Sequence, residues 1–168
     1  MGYIHDTAMS QCIPPTLFHC VTGTWAYDAG NVAGTIVKQK VAGAETTVVN
    51  VPIMLPSNSV ALKGGYLQTI EIDYEILTAA ATSITAVVNK VTRGVDGAVA
   101  VVAAQTATQD LTAATDAADV DQHKLTVTLT TPFWIDNDVY VLVQLTCVCA
   151  ATTVLEFLGA VANYTLRV

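Results

Sequence analysis

The residues able to do chemistry in this chain are few and badly spaced for it. There are four cysteines and three histidines. The cysteines, Cys12, Cys20, Cys147 and Cys149, stand at C-x7-C and C-x-C spacings. A zinc site favours C-x2-C to C-x4-C pairs. Cys147 and Cys149 fall on the same face of one extended segment, where their Cα atoms are about 6.5 Å apart, near the upper limit for a disulfide. Three readings therefore stand side by side. The thiols are free and buried, one pair forms a disulfide (Cys12 or Cys20 tied to the C-terminal segment), or a metal sits among them with His5 or His19.

The other constellations are equally bare. Asp116, Asp119 and Asp121, then Asp136 and Asp138, supply oxygens of the kind calcium takes. They lack the glycine and distant glutamate of an EF-hand, and aspartates in loops ordinarily serve as turn formers. His123 has no nucleophile elbow to work with. Glu71, Asp73 and Glu75 could supply a carboxylate pair for glycoside chemistry, but neighbours on one strand face read as a solvated face. Gly64-Gly65 and Gly94 to Gly97 precede no helix that would cradle a phosphate. Asn163-Tyr164-Thr165 fits a glycosylation acceptor but falls inside a strand pattern. Trp25 and Trp134 read as core or interface anchors. No catalytic residue, no metal ligand and no cofactor is assigned.

The composition is more telling. The chain is 52% hydrophobic and only 12% charged, with a mean hydropathy of +0.50. Ordinary soluble domains carry about 25% charged residues. Apolar surface of this extent is expected to be covered by other protein. The net charge is -7, and the seven cations are scattered as Lys38, Lys40, Lys63, Lys90, Arg93, Lys124 and Arg167. Phosphate neutralisation needs clustered cations, so neither nucleic acid nor an anionic membrane is an expected partner. Met1 to Asp6 shows no signal-peptide pattern. The uncharged run from Val139 to Leu155 is rich in Val and Thr and reads as two strands and a turn, not as a membrane span.

Along the chain, residues 1–17 read as an extended N-terminal arm, with Pro14-Pro15 favouring an extended course. Residues 18–168 read as one β-sandwich domain. Strand patterns are expected over 18–26, 32–41, 46–55, 66–77, 83–92, 98–104, 124–131, 139–149 and 154–168. Pro52 places its end of a strand at an edge or bulge, and Gly159 marks a kink. Residues 66–77 alternate most cleanly, with Ile70, Ile72, Tyr74 and Ile76 against Thr69, Glu71, Asp73 and Glu75. Residues 139–149 are apolar on both faces, which predicts cover on both. Residues 105–122 read as a long loop with one helical turn near 113–120, and 132–138 as a structured connection. The pattern predicts an all-β fold, a jelly-roll-like antiparallel β-sandwich with an extended N-terminal arm.

Two stretches, Leu125 to Tyr140 (LTVTLTTPFWIDNDVY) and Phe157 to Tyr164 (FLGAVANY), resemble the small β-sandwich structural proteins of tailed bacteriophages, the decoration or cement class. That resemblance covers about the last hundred residues and rests on short phrases. It implies a virion protein on the capsid surface, a homo-oligomer and usually a trimer, seated on the major capsid protein. The expected contact residues are Ile4, Met9, Ile13, Pro14 and Pro15 in the arm, and the apolar faces near Val148 and Phe157. Two further readings are a filament subunit joined by N-terminal strand exchange and a head-fibre or carbohydrate-binding module.

Overall fold

The computed structural model describes residues 5–28, 35–57, 64–94, 96, 98, 100–110 and 119–167. Ile4, Asp116 and residues 113–118 of the helical turn expected near 113–120 lie outside the described residues. Among the described residues the elements are β1 Asp6–Ile13, the 3-10 turn Pro15–Leu17, β2 His19–Thr22, β3 Trp25–Asp28, β4 Val37–Lys40, β5 Glu45–Ile53, β6 Gly65–Ile76, β7 Ala81–Thr92, β8 Val101–Gln105, β9 Ala107–Gln109, β10 Gln122–Trp134, β11 Val139–Cys149 and β12 Leu155–Arg167.

The strands form two antiparallel sheets. Sheet A runs β3-β4-β12-β6-β10-β9, with β1 also on β12, and sheet B runs β2-β5-β11-β7-β8. Within them β4-β12-β6-β10 packs on β5-β11-β7-β8, and the chain changes sheet at each step from β4 to β7 and again from β10 to β12, while β7 and β8 are neighbours in sheet B. That is the strand order of a jelly roll. The expected all-β sandwich is what the chain forms.

Period-two patterning builds the core between the sheets. Ile70, Ile72, Tyr74 and Ile76 of β6 face Val49 and Val51 of β5 and Val143 and Leu145 of β11, all at most 2% exposed. At roughly 1.5–3 kcal/mol for each fully buried large apolar side chain, this layer supplies most of the drive to fold. Tyr74 is so enclosed that burial pushes its hydroxyl pKa up to about 12.

Several elements differ from the sequence expectation for identifiable reasons. The strand expected over 18–26 is two strands, because Gly23 turns the chain at φ +97°; a Cβ there would lie 2.4 Å from Thr47 Cγ2. The loop expected over 105–122 contains β9. The chain crosses from sheet B to sheet A at Thr106, between β8 and β9. There the Gln109 carboxamide behaves like strand backbone: Nε2 donates to Ala86 O at 2.5 Å and Oε1 accepts from Ala86 N at 3.1 Å. The connection expected over 132–138 is partly strand, since β10 continues past Pro132 through an irregular register between Thr128 and Phe133. Pro52 lies where expected, on a stretch of β5 that β2 no longer flanks, because β2 pairs only as far as Asn50.

The arm is the largest departure. Residues 6–13 are β1, antiparallel to β12 from Asp6↔Arg167 to Ile13↔Ala160. β12 thus has β6 on one side and two short strands end to end on the other: β4 beside 155–157 and β1 beside 160–167. Gly159 sits at their junction with φ +150°, and a Cβ on it would come 3.3 Å from Ile13 O. The kink expected at Gly159 is a register shift between Phe157 and Gly159.

Candidate functional site

The chemically able residues do not converge. All four cysteines are free thiols. Cys147 and Cys149 point into the sandwich, and burial pushes the Cys147 thiol up to about 12. Burial also raises Cys149 and Cys20. Thiols so raised are poor nucleophiles at neutral pH. Among the described residues, no group of three His, Cys, Asp or Glu side chains could hold a metal ion. Two of the described aspartates serve turns: Asp121 Oδ1 accepts from Gln122 N at 2.8 Å, and Asp136 O accepts from Val139 N at 3.1 Å. His123 leans its ring on Tyr74 at 5.2 Å and bonds Asp119 O at 3.0 Å.

One buried cation stands out. Lys40 is fully buried. Its Nζ donates to Gly43 O at 2.5 Å and Thr153 O at 3.3 Å and lies 3.7 Å from Glu45 Oε1. Both carbonyls belong to connections at one end of the sandwich, so Lys40 is a stitch between loops.

The expected contact residues divide sharply. Ile13 is 3% exposed and Pro15 is buried, both taken into the chain's own core. Phe157 is wholly buried, packed by Phe18 at 5.6 Å, Trp25 at 5.8 Å and Tyr74 at 6.4 Å. The expectation of an apolar exposed face at Phe157 is therefore corrected. Leu155 and Phe157 share the inward phase of β12, and its exposed apolar side chain is Leu158. Met9 and Pro14 remain exposed.

Val148 is on the outside, and it leads to the main feature of the surface. On the outer face of sheet B, cross-strand rows run Thr46–Val148–Ser83, Val48–Thr146–Thr85, Asn50–Gln144–Val87 and Pro52–Leu142–Asn89, with Tyr140 beside Val91. No row holds a charged side chain. The uncharged character continues onto β8 with Val102 and Ala104, which pair with Val91 and Asn89. Val87, Val102 and Tyr140 are 41%, 61% and 44% exposed. The cover expected on both faces of β11 is thus supplied by the chain on one face alone.

The outer face of sheet A is the opposite in kind. Ser10 Oγ donates to Asn163 Oδ1 at 2.7 Å, and Asn163 Nδ2 reaches Thr69 Oγ1 and Glu71 Oε1, each at 3.2 Å. Lys124 Nζ donates to Glu71 Oε2 at 2.9 Å. The Lys124 ammonium holds the Glu71 carboxyl below the usual carboxylate range, with Asn163 helping. The Asn163 amide, the acceptor atom of a would-be glycosylation site, is thereby committed to the sheet. At the far end Arg167 grips Asp6 in a two-pronged pair at 2.7 and 2.9 Å.

A concavity that no sequence motif marks lies beside this ion pair, where Tyr66 and Trp134 are register partners on β6 and β10. A signal for it was present: Trp134 lies in phase with Thr126 and Thr128, the outward residues of β10.

No protein-family model matches the chain, and no curated protein matches it. Among solved structures, it is similar to the CBM22-1 and GH10 modules of endo-1,4-β-D-xylanase 10B from Clostridium thermocellum, complexed with xylohexaose. The identity is 8% and the TM-score 0.45, over 90% of this chain and 27% of that one. It is also similar to a family 11 carbohydrate-binding module from Clostridium thermocellum in complex with a β-1,3-1,4-mixed-linked tetrasaccharide. There the identity is 6% and the TM-score 0.30, over 98% of this chain and 86% of that one. This chain spans about a quarter of the length of the first. Likeness at this level says nothing of function.

Proposed function

We propose that this protein is a non-catalytic structural subunit, a capsid decoration protein that oligomerises and seats on a major capsid protein lattice at the virion surface. The observation that carries the reading is the outer face of sheet B, whose cross-strand rows contain no charged side chain. The cores of protein–protein interfaces are depleted in charge, and a face without charge has little desolvation to offset when another surface covers it. Burying about 1,000 Å² of apolar surface contributes roughly 25 kcal/mol before association and ordering costs, which cancel most of it. Repeated across a shell, a small surplus per copy is enough to brace the lattice.

A second reading follows from β1. That strand is mostly exposed and joins the sandwich through Pro14-Pro15. The same strand seated on β12 of a neighbouring copy would link subunits by strand exchange. Light scattering combined with electron microscopy of the purified protein separates the two. Discrete small oligomers, a trimer foremost, are expected for a decoration protein, and long fibres would favour strand exchange. A strict monomer at roughly 100 µM, far above a micromolar Kd, would overturn both.

A further inference from the structure

The cleft on sheet A has a volume of about 470 Å³, within the ordinary range for small-molecule sites. It opens where β1, β12, β6 and β10 lie side by side, on the opposite outer face from the uncharged rows of sheet B. One wall is aromatic: the Tyr66 and Trp134 rings lie with centroids 4.8 Å apart and planes tilted by 42°. Both are only partly buried. The other wall is polar and already ordered. Arg167 is clamped on Asp6 and lies over Trp134, its guanidinium carbon 5.2 Å from the ring centre. Gln68 Nε2 donates to Thr165 Oγ1 at 3.1 Å. Each polar group is oriented by another, so little side-chain freedom remains to be lost on binding.

Charge and chemistry narrow the ligand. Among the described residues, the charged groups lining the cleft are Asp6 and Arg167, and they cancel. An anion would also meet the field of a chain carrying net charge -7. A purely apolar ligand would bury the ion pair without replacing its water. What fits is a neutral molecule with an apolar face for the rings and several hydroxyls. A hydroxyl both donates and accepts, so it can pair with carboxylate, guanidinium and carboxamide alike. A sugar ring has this form, with C–H bonds on its face and hydroxyls around its rim.

We propose that this cleft binds a neutral sugar ring, packed against the Tyr66–Trp134 wall, with its hydroxyls bonded by the Asp6–Arg167 pair and Gln68. The site is independent of the docking face on sheet B, so either can fail without the other.

Trp134 is itself the reporter. The only other tryptophan, Trp25, is stacked on Phe157, and Trp25→Phe removes its signal. This variant is titrated with neutral gluco-, galacto-, manno- and xylo-oligosaccharides, and in a separate arm with sialylated and uronate-containing ones. If it folds poorly, calorimetry on the unaltered protein gives the same readout. A saturable change is expected with at least one neutral sugar, at a Kd of roughly 0.1–1 mM. Tyr66→Ala and Gln68→Ala should each weaken it at least about tenfold. Gln68 is exposed, so its replacement leaves the melting temperature unchanged and separates lost binding from lost folding. The proposal is overturned by no response to any neutral sugar at about 10 mM, by a response to the anionic arm alone, or by binding that both substitutions leave intact.

Discussion

The two outer faces of this sandwich are built from strands of similar length yet solve the problem of meeting the outside in opposite ways. Sheet A covers itself with a lattice of side-chain bonds, from Ser10 through Asn163 and Glu71 to Lys124. Sheet B offers rows of Thr, Val, Asn, Gln and Leu, where, among the described residues, the side chains are linked through Gln144 Nε2 to Asn50 Oδ1 at 3.5 Å, the outer limit of a hydrogen bond. The low charge of the chain is therefore concentrated on one side. A face that satisfies its own polar groups is finished in water, whereas a face without charge keeps its surface for something else.

The sharpest way to break this comparison is to put one charge on each face. Gln144→Lys sits in the centre of the sheet B rows, and Thr128→Lys sits on sheet A. A buried unpaired charge at an interface costs about 2–5 kcal/mol, so Gln144→Lys should weaken self-association at least about 100-fold, measured by sedimentation equilibrium. Surface substitutions ordinarily move folding stability by no more than about 0.5 kcal/mol, so its melting temperature should hardly change. Thr128→Lys should alter neither. Equal effects from the two lysines would erase the distinction between the faces.

The next effect concerns how sheet A is pieced together. β12 is flanked by β4 and β1 end to end, and Gly159 at the junction has a backbone angle that side chains rarely adopt. Gly159→Val should cost roughly 2 kcal/mol through backbone strain, and it should loosen β1 before anything in sheet B. Urea denaturation gives the cost. Amide exchange locates it, and uniform loss of protection across both sheets would contradict a local junction.

Much of this architecture was legible. The alternation of β6 and of 139–149 was plain, and Pro52 and Gly159 were read as irregularities because each lacks something a continuous ladder needs. What escaped the reading depended on partners distant in sequence. β1 has no apolar periodicity, because its pairing energy lies in backbone bonds to residues 160–167 and its burial in Ile13 alone. The inward turn of Phe157 was hidden because the irregularity at Gly159 shifts the alternation from Phe157 to Ala160. Trp134 fell beyond Pro132, where strand reading ordinarily stops, although β10 absorbs that proline in an irregular stretch. The Asp6–Arg167 pair spans 161 positions and leaves no local trace.

A smaller effect tests the lattice itself. Asn163→Ala removes bonds to Ser10, Thr69 and Glu71 from a partly exposed site and should cost about 1–2 kcal/mol. Gln144→Ala, the matched change on sheet B, removes one marginal bond and should fall below about 0.5 kcal/mol. Paired chemical denaturation of the two variants measures the gap directly; a gap near zero would mean the polar lattice is ornament on sheet A.

The smallest effect is the response to acid. The bond from Arg167 holds the Asp6 carboxyl below the usual carboxylate range, and Lys124 does the same for Glu71. A carboxylate whose pKa is depressed on folding contributes stability that is present above its unfolded value, near 4, and is lost as the pH falls through the folded value. Arginine and lysine stay charged throughout, so the change comes from the carboxylates alone. Acid should therefore loosen sheet A first, at the β1–β12 end and around Glu71, while the rows of sheet B contain no carboxylate to protonate. Amide chemical shifts of β1 and β7 followed through an acid titration would show this. Those of β1 should move below the ordinary carboxylate range while those of β7 stay still, and Asp6→Asn should remove the movement at residues 6–8. A shift of β7 in step with β1, or an unchanged titration in Asp6→Asn, would detach the acid response from this ion pair. The contrast between the faces would then rest on composition alone.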